Sequence, residues 1–174
     1  MTGKAFINAV TNSDIDILQL LLSILKETGS TYCVIGGLAV NAYAEPVVSL
    51  DLDIVVINAD INKVCKKAES KGLKVQEFEH SINMSISGSD LRIQLQTDPR
   101  YQDFLSNAVC LEVLGYEMSV AALNDVLKGK IWAYYDGKRR KSKRQKDLSD
   151  ILRLAETHPD LKNKLPPDIL TEFD

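Results

Sequence analysis

The chain has 174 residues, 45% of them hydrophobic, which supports one sizeable core and argues against two independent ones. No run approaches the ~18 consecutive apolar residues of a membrane span, and Met1-Thr2-Gly3-Lys4-Ala5 lacks the apolar run of a signal peptide. A soluble, cytoplasmic protein with one domain over 1–174 and no membrane contact is therefore expected, although its net charge of -3 hides a basic run at 138–146 with seven positive residues in nine.

Ser13-Asp14-Ile15-Asp16 has the form of a capping box with Asp at the third helical position. Ile17, Leu21, Ile24 and Leu25 follow at helical spacing up to Lys26 and Gly29, which predicts an amphipathic first helix. Tyr32 to Ile35 reads as a short buried strand that stops at Gly36-Gly37, and Leu38 to Tyr43 as a short helix before Pro46. Ser49 to Ile57 is a second, β-branched strand. Asp60 is placed to cap a helix through Val64, Cys65 and Ala68 that ends at Lys71-Gly72.

Three short strands follow, at about Leu73–Phe78, Ile82–Ser87 and Leu91–Thr97; the turn-prone residues between them predict an antiparallel meander. Asp98-Pro99 is a helix start, since Asp accepts free amides and Pro fits a first turn. A hairpin around Gly115 leads from Ser119 into a helix reaching about Tyr135. The basic run then interrupts the helical pattern, which Leu148, Ile151, Leu152 and Ala155 resume in a last docked helix. The tail after His158-Pro159 contains Pro166-Pro167 and shows little periodicity, so it carries no assignment. Cys33, Cys65 and Cys110 are an odd number and far apart, which fits free thiols in a reducing compartment.

Alternation along Leu50–Val56 puts Asp51 and Asp53 on one face of a strand, their α-carbons roughly 6–7 Å apart. Two anions side by side on a half-buried sheet repel unless a cation or hydrogen-bond donors compensate them. Such a pair suits Mg²⁺ or Mn²⁺, and two such ions can clamp the attacking and leaving oxygens of a phosphoryl displacement. The spacing alone equally suits a strand entrance where Asp51 caps a loop and Asp53 faces water. Gly36-Gly37, between a strand and a helix, lets backbone amides approach a phosphate without a β-carbon in the way; taken alone, the pair more readily suits a tight turn at positive φ.

In combination, a strand, Gly36-Gly37, a short helix, thirteen residues and Asp51-Leu52-Asp53 followed by Ile54-Val55-Val56 resembles the signature of the nucleotidyltransferase superfamily that includes DNA polymerase beta. The similarity extends to Pro99-Arg100-Tyr101 and to the stretch from Lys143 to Ile151, so it covers about residues 30 to 155. It is similar to small proteins related to the abortive-infection type IV toxin nucleotidyltransferases. The resemblance implies an α+β (α/β) nucleotidyltransferase fold, with a mixed, mostly antiparallel sheet flanked by helices and with C-terminal helices. It implies that Gly36 and Gly37 cradle the triphosphate of an NTP, that Asp51 and Asp53 are the catalytic, metal-binding pair, and that Lys130 lies near the triphosphate.

A third carboxylate is expected on a following antiparallel strand, and the aligned position holds Gln94. Its amide oxygen can coordinate a metal but carries no charge and cannot act as a base near neutral pH. Asp90 and Asp98 share its strand face but lie roughly 13 Å away along an extended strand.

The activity implied is transfer of a nucleoside monophosphate from NTP to a hydroxyl of a protein, an RNA such as tRNA, or a small molecule, in a toxin-antitoxin setting with a partner protein. The alternatives are a catalytically impaired nucleotide-binding or regulatory protein on the same fold, or an RNA-binding module. The basic run at 138–146 reads as a solvated loop, a phosphate contact or a nucleic-acid patch. Asp147 and Asp150 read mainly as structural anchors beside the last apolar stripe, placed to orient Lys130 or Arg144, with Asp150 and Arg153 able to pair at i,i+3.

Overall fold

The computed structural model describes Ala5, Ala9 and residues 15–173. Helix α1 spans Ile17–Thr28 and is capped by Asp16, whose side chain accepts the Gln19 N–H at 2.9 Å. Asp16 is thus the cap itself and not the third helical residue; Ser13 and Asp14 of the expected capping box lie outside the described residues. Gly29 closes the helix at φ +60°, the left-handed conformation that glycine adopts without a Cβ penalty.

Strand β1 is Tyr32–Ile35 and helix α2 is Gly36–Val40. This helix starts two residues earlier than expected and takes in both glycines. Strand β2 is Asp51–Val56. Helix α3, Ile61–Ser70, follows a 3-10 turn at Asn58–Asp60, and Asp60 makes no side-chain cap but pairs with Lys63 at 2.9 Å. Strands β3 (Lys74–Glu77), β4 (Ser81–Ser85) and β5 (Arg92–Gln96) form the expected antiparallel meander. Asp98 accepts the Arg100 N–H at 3.0 Å, but Pro99–Asn107 winds as 3-10 turns rather than an α-helix. Tyr101 and Phe104 are buried at the i,i+3 spacing that such turns align.

Strands β6 (Val109–Val113) and β7 (Tyr116–Val120) close a hairpin in which Leu114 and Gly115 both take positive φ, the twist of a two-residue turn. Helix α4 is Leu123–Tyr135 and helix α5 is Lys141–Thr157. The basic run therefore does not interrupt the helix as far as Leu148; its second half forms the first turns of α5. Apolar periodicity could not register those turns, which bury no hydrophobic residue before Leu148. The tail folds as 3-10 turns at Pro159–Lys164, helix α6 at Pro167–Leu170 and a last 3-10 turn at Thr171–Phe173, burying Leu161, Leu165 and Ile169. Single turns that each contribute one buried residue leave no helical period to detect.

The seven strands form one sheet in the order β3-β4-β5-β2-β1-β7-β6. Pairing is antiparallel except for β2 with β5 and β1 with β7. The strand carrying Gln94 is thus antiparallel to β4 but parallel to β2. Leu52, Ile54 and Val56 enter the core, while Asp51 and Asp53 stand on the other face. Helix α4 and the turns at Pro99–Asn107 cover that second face, enclosing a cleft above Asp53.

Candidate active site

The β1–β2 register sets Ile35 opposite Asp53, which brings the start of α2 onto the second aspartate. Gly36 has φ +65°, and a Cβ there would collide with the Asp53 Oδ2 atom. Two independent constraints, backbone conformation and a carboxylate in contact, thus require glycine at 36. Gly37 is different, since a Cβ there would meet only the Ser49 side chain at 3.7 Å, an ordinary contact.

The two aspartates sit in unlike environments. Asp51 accepts Lys143 Nζ on Oδ2 at 2.7 Å and Arg92 on Oδ1 at 2.8 Å. Burial alone would raise its pKa, but the Lys143 hydrogen bond and the charges of Lys143, Arg92 and Lys146 outweigh that and hold it below the usual carboxylate range. The Asp53 carboxylate accepts no hydrogen bond from a described residue. Burial pushes its pKa up, opposed by the charge of Lys130 and reinforced by that of Asp51.

Gln94 pairs in register with Asp53 across the parallel β2–β5 ladder and lines the cleft beside it. Its side chain makes no hydrogen bond among the described residues. Asp125, on the first turn of α4, and Asp147 line the same cleft. Among the described residues no group of three or more His, Cys, Asp or Glu side chains is arranged to hold a metal. The Asp53 carboxylate and the Gln94 amide oxygen are open oxygen donors in the cleft, and the Asp51 carboxylate would join them only once Lys143 and Arg92 release it. That set fits one hard divalent cation whose coordination is completed by water and phosphate oxygens.

Lys130 lines the cleft but is buried, and its Nζ is held by Asp147 at 2.9 Å and Asp150 at 2.6 Å. Burial alone would lower its pKa; the charges of Asp150 and Asp147 overcome this and keep it an ammonium ion. Asp147 and Asp150 therefore act as the expected anchors for Lys130. Arg144 is not anchored by them, and donates instead to the Tyr134 carbonyl at 2.6 Å. Asp150 also pairs with Arg153 at 2.7 Å, as the spacing suggested.

The basic run divides by direction. Lys143 reaches Asp51, Lys146 reaches the Ser49 hydroxyl at 3.3 Å, and Arg139 bonds Asp147 through Nε at 2.7 Å while lining the cleft. Lys143, Lys146, Ser49, Arg92 and Arg139 are the site residues that sequence reasoning did not single out. One signal was available: Lys143 and Lys146 stand at i,i+3 in the stretch that carried the family resemblance.

No protein-family model and no curated protein matches the sequence. Solved structures do match. The antibiotic-resistance factor ANT(2'')-Ia, in complex with adenylyl-2''-tobramycin, is 14% identical with a TM-score of 0.64, over 91% of this chain and 97% of its own. The fold is that of the nucleotidyltransferases. The lincosamide antibiotic adenylyltransferase LnuA, lincomycin-bound, shares this nucleotidyltransferase fold at 13% identity and a TM-score of 0.54, over 82% of this chain and 99% of its own. A nucleotidyltransferase-like protein from Paracoccidioides brasiliensis shares it at 17% identity and a TM-score of 0.58, over 90% of this chain and 84% of its own. At these identities the likeness concerns the nucleotidyltransferase fold and not the substrate. Among the described residues no helix is long and apolar enough to cross a membrane.

Proposed function

We propose that residues 1–174 act as one nucleotidyltransferase domain that moves a nucleoside monophosphate from NTP to a hydroxyl acceptor. The observation that carries this reading is the contact between Gly36 and Asp53, which ties the glycine turn to the second carboxylate. Gly37, Ser49, Lys143 and Lys146 gather at the Asp51 end of β2 and offer an amide, a hydroxyl and two ammonium groups to a triphosphate. Lys143 leaves Asp51 for the phosphates as substrate enters. Lys130 adds positive potential from beneath the cleft while its own donors stay with Asp147 and Asp150.

Asp51, Asp53 and the Gln94 amide oxygen would hold Mg²⁺ or Mn²⁺, which neutralises charge on the phosphates when bound. The acceptor oxygen bonds to the α-phosphorus, the bond from that phosphorus to the α,β-bridging oxygen breaks, pyrophosphate departs and the hydroxyl proton passes to water. One neighbour is a lincosamide antibiotic adenylyltransferase and another holds adenylyl-2''-tobramycin, which supports this reaction class. Motif similarity to abortive-infection toxin nucleotidyltransferases supports a toxin-antitoxin partner, and three free cysteines support a cytoplasmic setting.

Gln94 favours a second reading, in which nucleotide binds and turnover is weak. Incubation with α-labelled NTP, Mg²⁺ and candidate acceptors decides between them. Metal-dependent incorporation lost in Asp51→Ala supports transfer; metal-dependent binding without incorporation supports the second reading, and Gln94→Asp should then raise incorporation. Absence of both binding and incorporation overturns both.

A further inference from the structure

Beside the cleft above Asp53 lies a second chamber of ≈ 320 Å³. Gln96, Tyr101, Ala133 and Arg139 line both spaces, so the two adjoin along these residues. The chamber falls at the small end of the size range of small-molecule sites. The groups at the junction are donors. Asp147 takes Arg139 Nε, which leaves both Nη groups without a partner among the described residues. The Gln96 carbonyl oxygen accepts the Asp98 N–H at 3.1 Å, leaving its NH₂ unengaged. Tyr101 Oη and Lys138 Nζ bond no described residue. Of the two carboxylates in the chamber, Asp98 is neutralised by Arg100, which also lines it, and Asp136 accepts the Lys138 backbone N–H at 2.9 Å on one oxygen and keeps its charge, against the cations of Arg139 and Lys138.

We propose that this chamber holds the acceptor, and that the acceptor is a small hydroxyl compound bearing a phosphate group. The phosphate sits on Arg139, Lys138, Tyr101 and Gln96, and the hydroxyl is directed toward Asp53. This rests on the transferase reading for the word acceptor, but the anion site stands on the chamber alone. A nucleic-acid terminus fits less well. Trp132 stacks on Phe104 at 5.6 Å, and its ring is overlaid by Arg100 at 4.9 Å and Lys128 at 5.0 Å, so it offers no free face to a base.

Trp132 lines the chamber and is the only tryptophan in the chain, so its fluorescence reports occupancy. The wild-type protein is titrated with ribose 5-phosphate, ribose, inorganic phosphate, a short RNA and tobramycin, with and without Mg²⁺–ATP. Ribose 5-phosphate should saturate the signal at least about tenfold more tightly than ribose or tobramycin. Arg139→Gln should weaken that binding by about tenfold, Lys138→Gln by less, and Lys66→Gln, exposed on α3 and outside the chamber, should leave it unchanged. Saturation by RNA alone, displacement of ribose 5-phosphate by ATP, or no saturation by any phosphate overturns the proposal. Ribose 5-phosphate binding in a protein that neither binds nor transfers nucleotide would retain the anion site and remove the transferase reading.

Discussion

Lys143 Nζ lies 2.7 Å from Asp51 Oδ2, so the first aspartate of the candidate pair is neutralised by a side chain 92 residues further along the chain. The pair is only partly buried, with side-chain exposures of 32% and 24%, and such pairs contribute at most about 1 kcal/mol to stability. Lys143→Ala should therefore change the urea midpoint little but weaken Mg²⁺–NTP binding by about tenfold or more, measured by calorimetry with a non-hydrolysable analogue. A large stability loss with unaltered affinity would make Lys143 a structural residue only.

Gly36→Ala and Gly37→Ala separate the two glycines. At 36 an alanine meets both a left-handed backbone and the Asp53 carboxylate, and should cost at least about 1–2 kcal/mol. At 37 the backbone N–H is retained and the new methyl has room, so fold and nucleotide affinity should both persist. Thermal melts and NTP titrations of the two variants check this, and equal behaviour would remove the special role of residue 36.

Asp53→Asn should raise the melting temperature while removing metal-dependent activity. Burial raises the Asp53 pKa in the folded state, so folding is favoured by the protonated form and that contribution is lost as pH rises through the folded pKa. At neutral pH the ionised carboxylate destabilises the fold, and a neutral amide relieves this. The difference between wild type and variant should shrink toward zero in acid, and a pH series of melting curves would reveal the opposite sign if the environment of Asp53 favoured the anion.

Lys130→Met should lower stability by about 3 kcal/mol, the lower end of the range for breaking a buried pair, because Asp147 keeps Arg139 and Asp150 keeps Arg153. Urea unfolding at neutral pH measures it. A loss below about 1 kcal/mol would mean that the two carboxylates are adequately served by their arginines.

The parts of this molecule that follow a local period were legible in its sequence. Strand β2 announces its aspartates by alternation, and α1 its buried face by helical spacing. The fate of Lys143 was not legible, because it is decided by how α5 lies against the sheet. For Lys130 the sequence offered Asp147 and Asp150, seventeen and twenty residues later, but left Arg144 as their other candidate, and helical spacing could not choose between the two. Likewise the basic run reads as one block of charge in sequence, whereas the turn before α5 sends its members to four different addresses: Asp147, Asp51, Ser49 and the Tyr134 carbonyl.

The ion pairs behind the cleft form an alternating series, Arg139, Asp147, Lys130, Asp150 and Arg153, each joined to the next. Such a series begins and ends on a cation, so parity alone leaves it one positive charge in surplus. At the far end Arg153 is 18% exposed and also donates to the Asn41 side chain and the Glu45 carbonyl. Arg139, 37% exposed, is the member that opens on solvent. The series thus delivers its surplus charge to the rim of the cleft, where Arg139 and the Asp53 carboxylate act on each other across the space a substrate would enter.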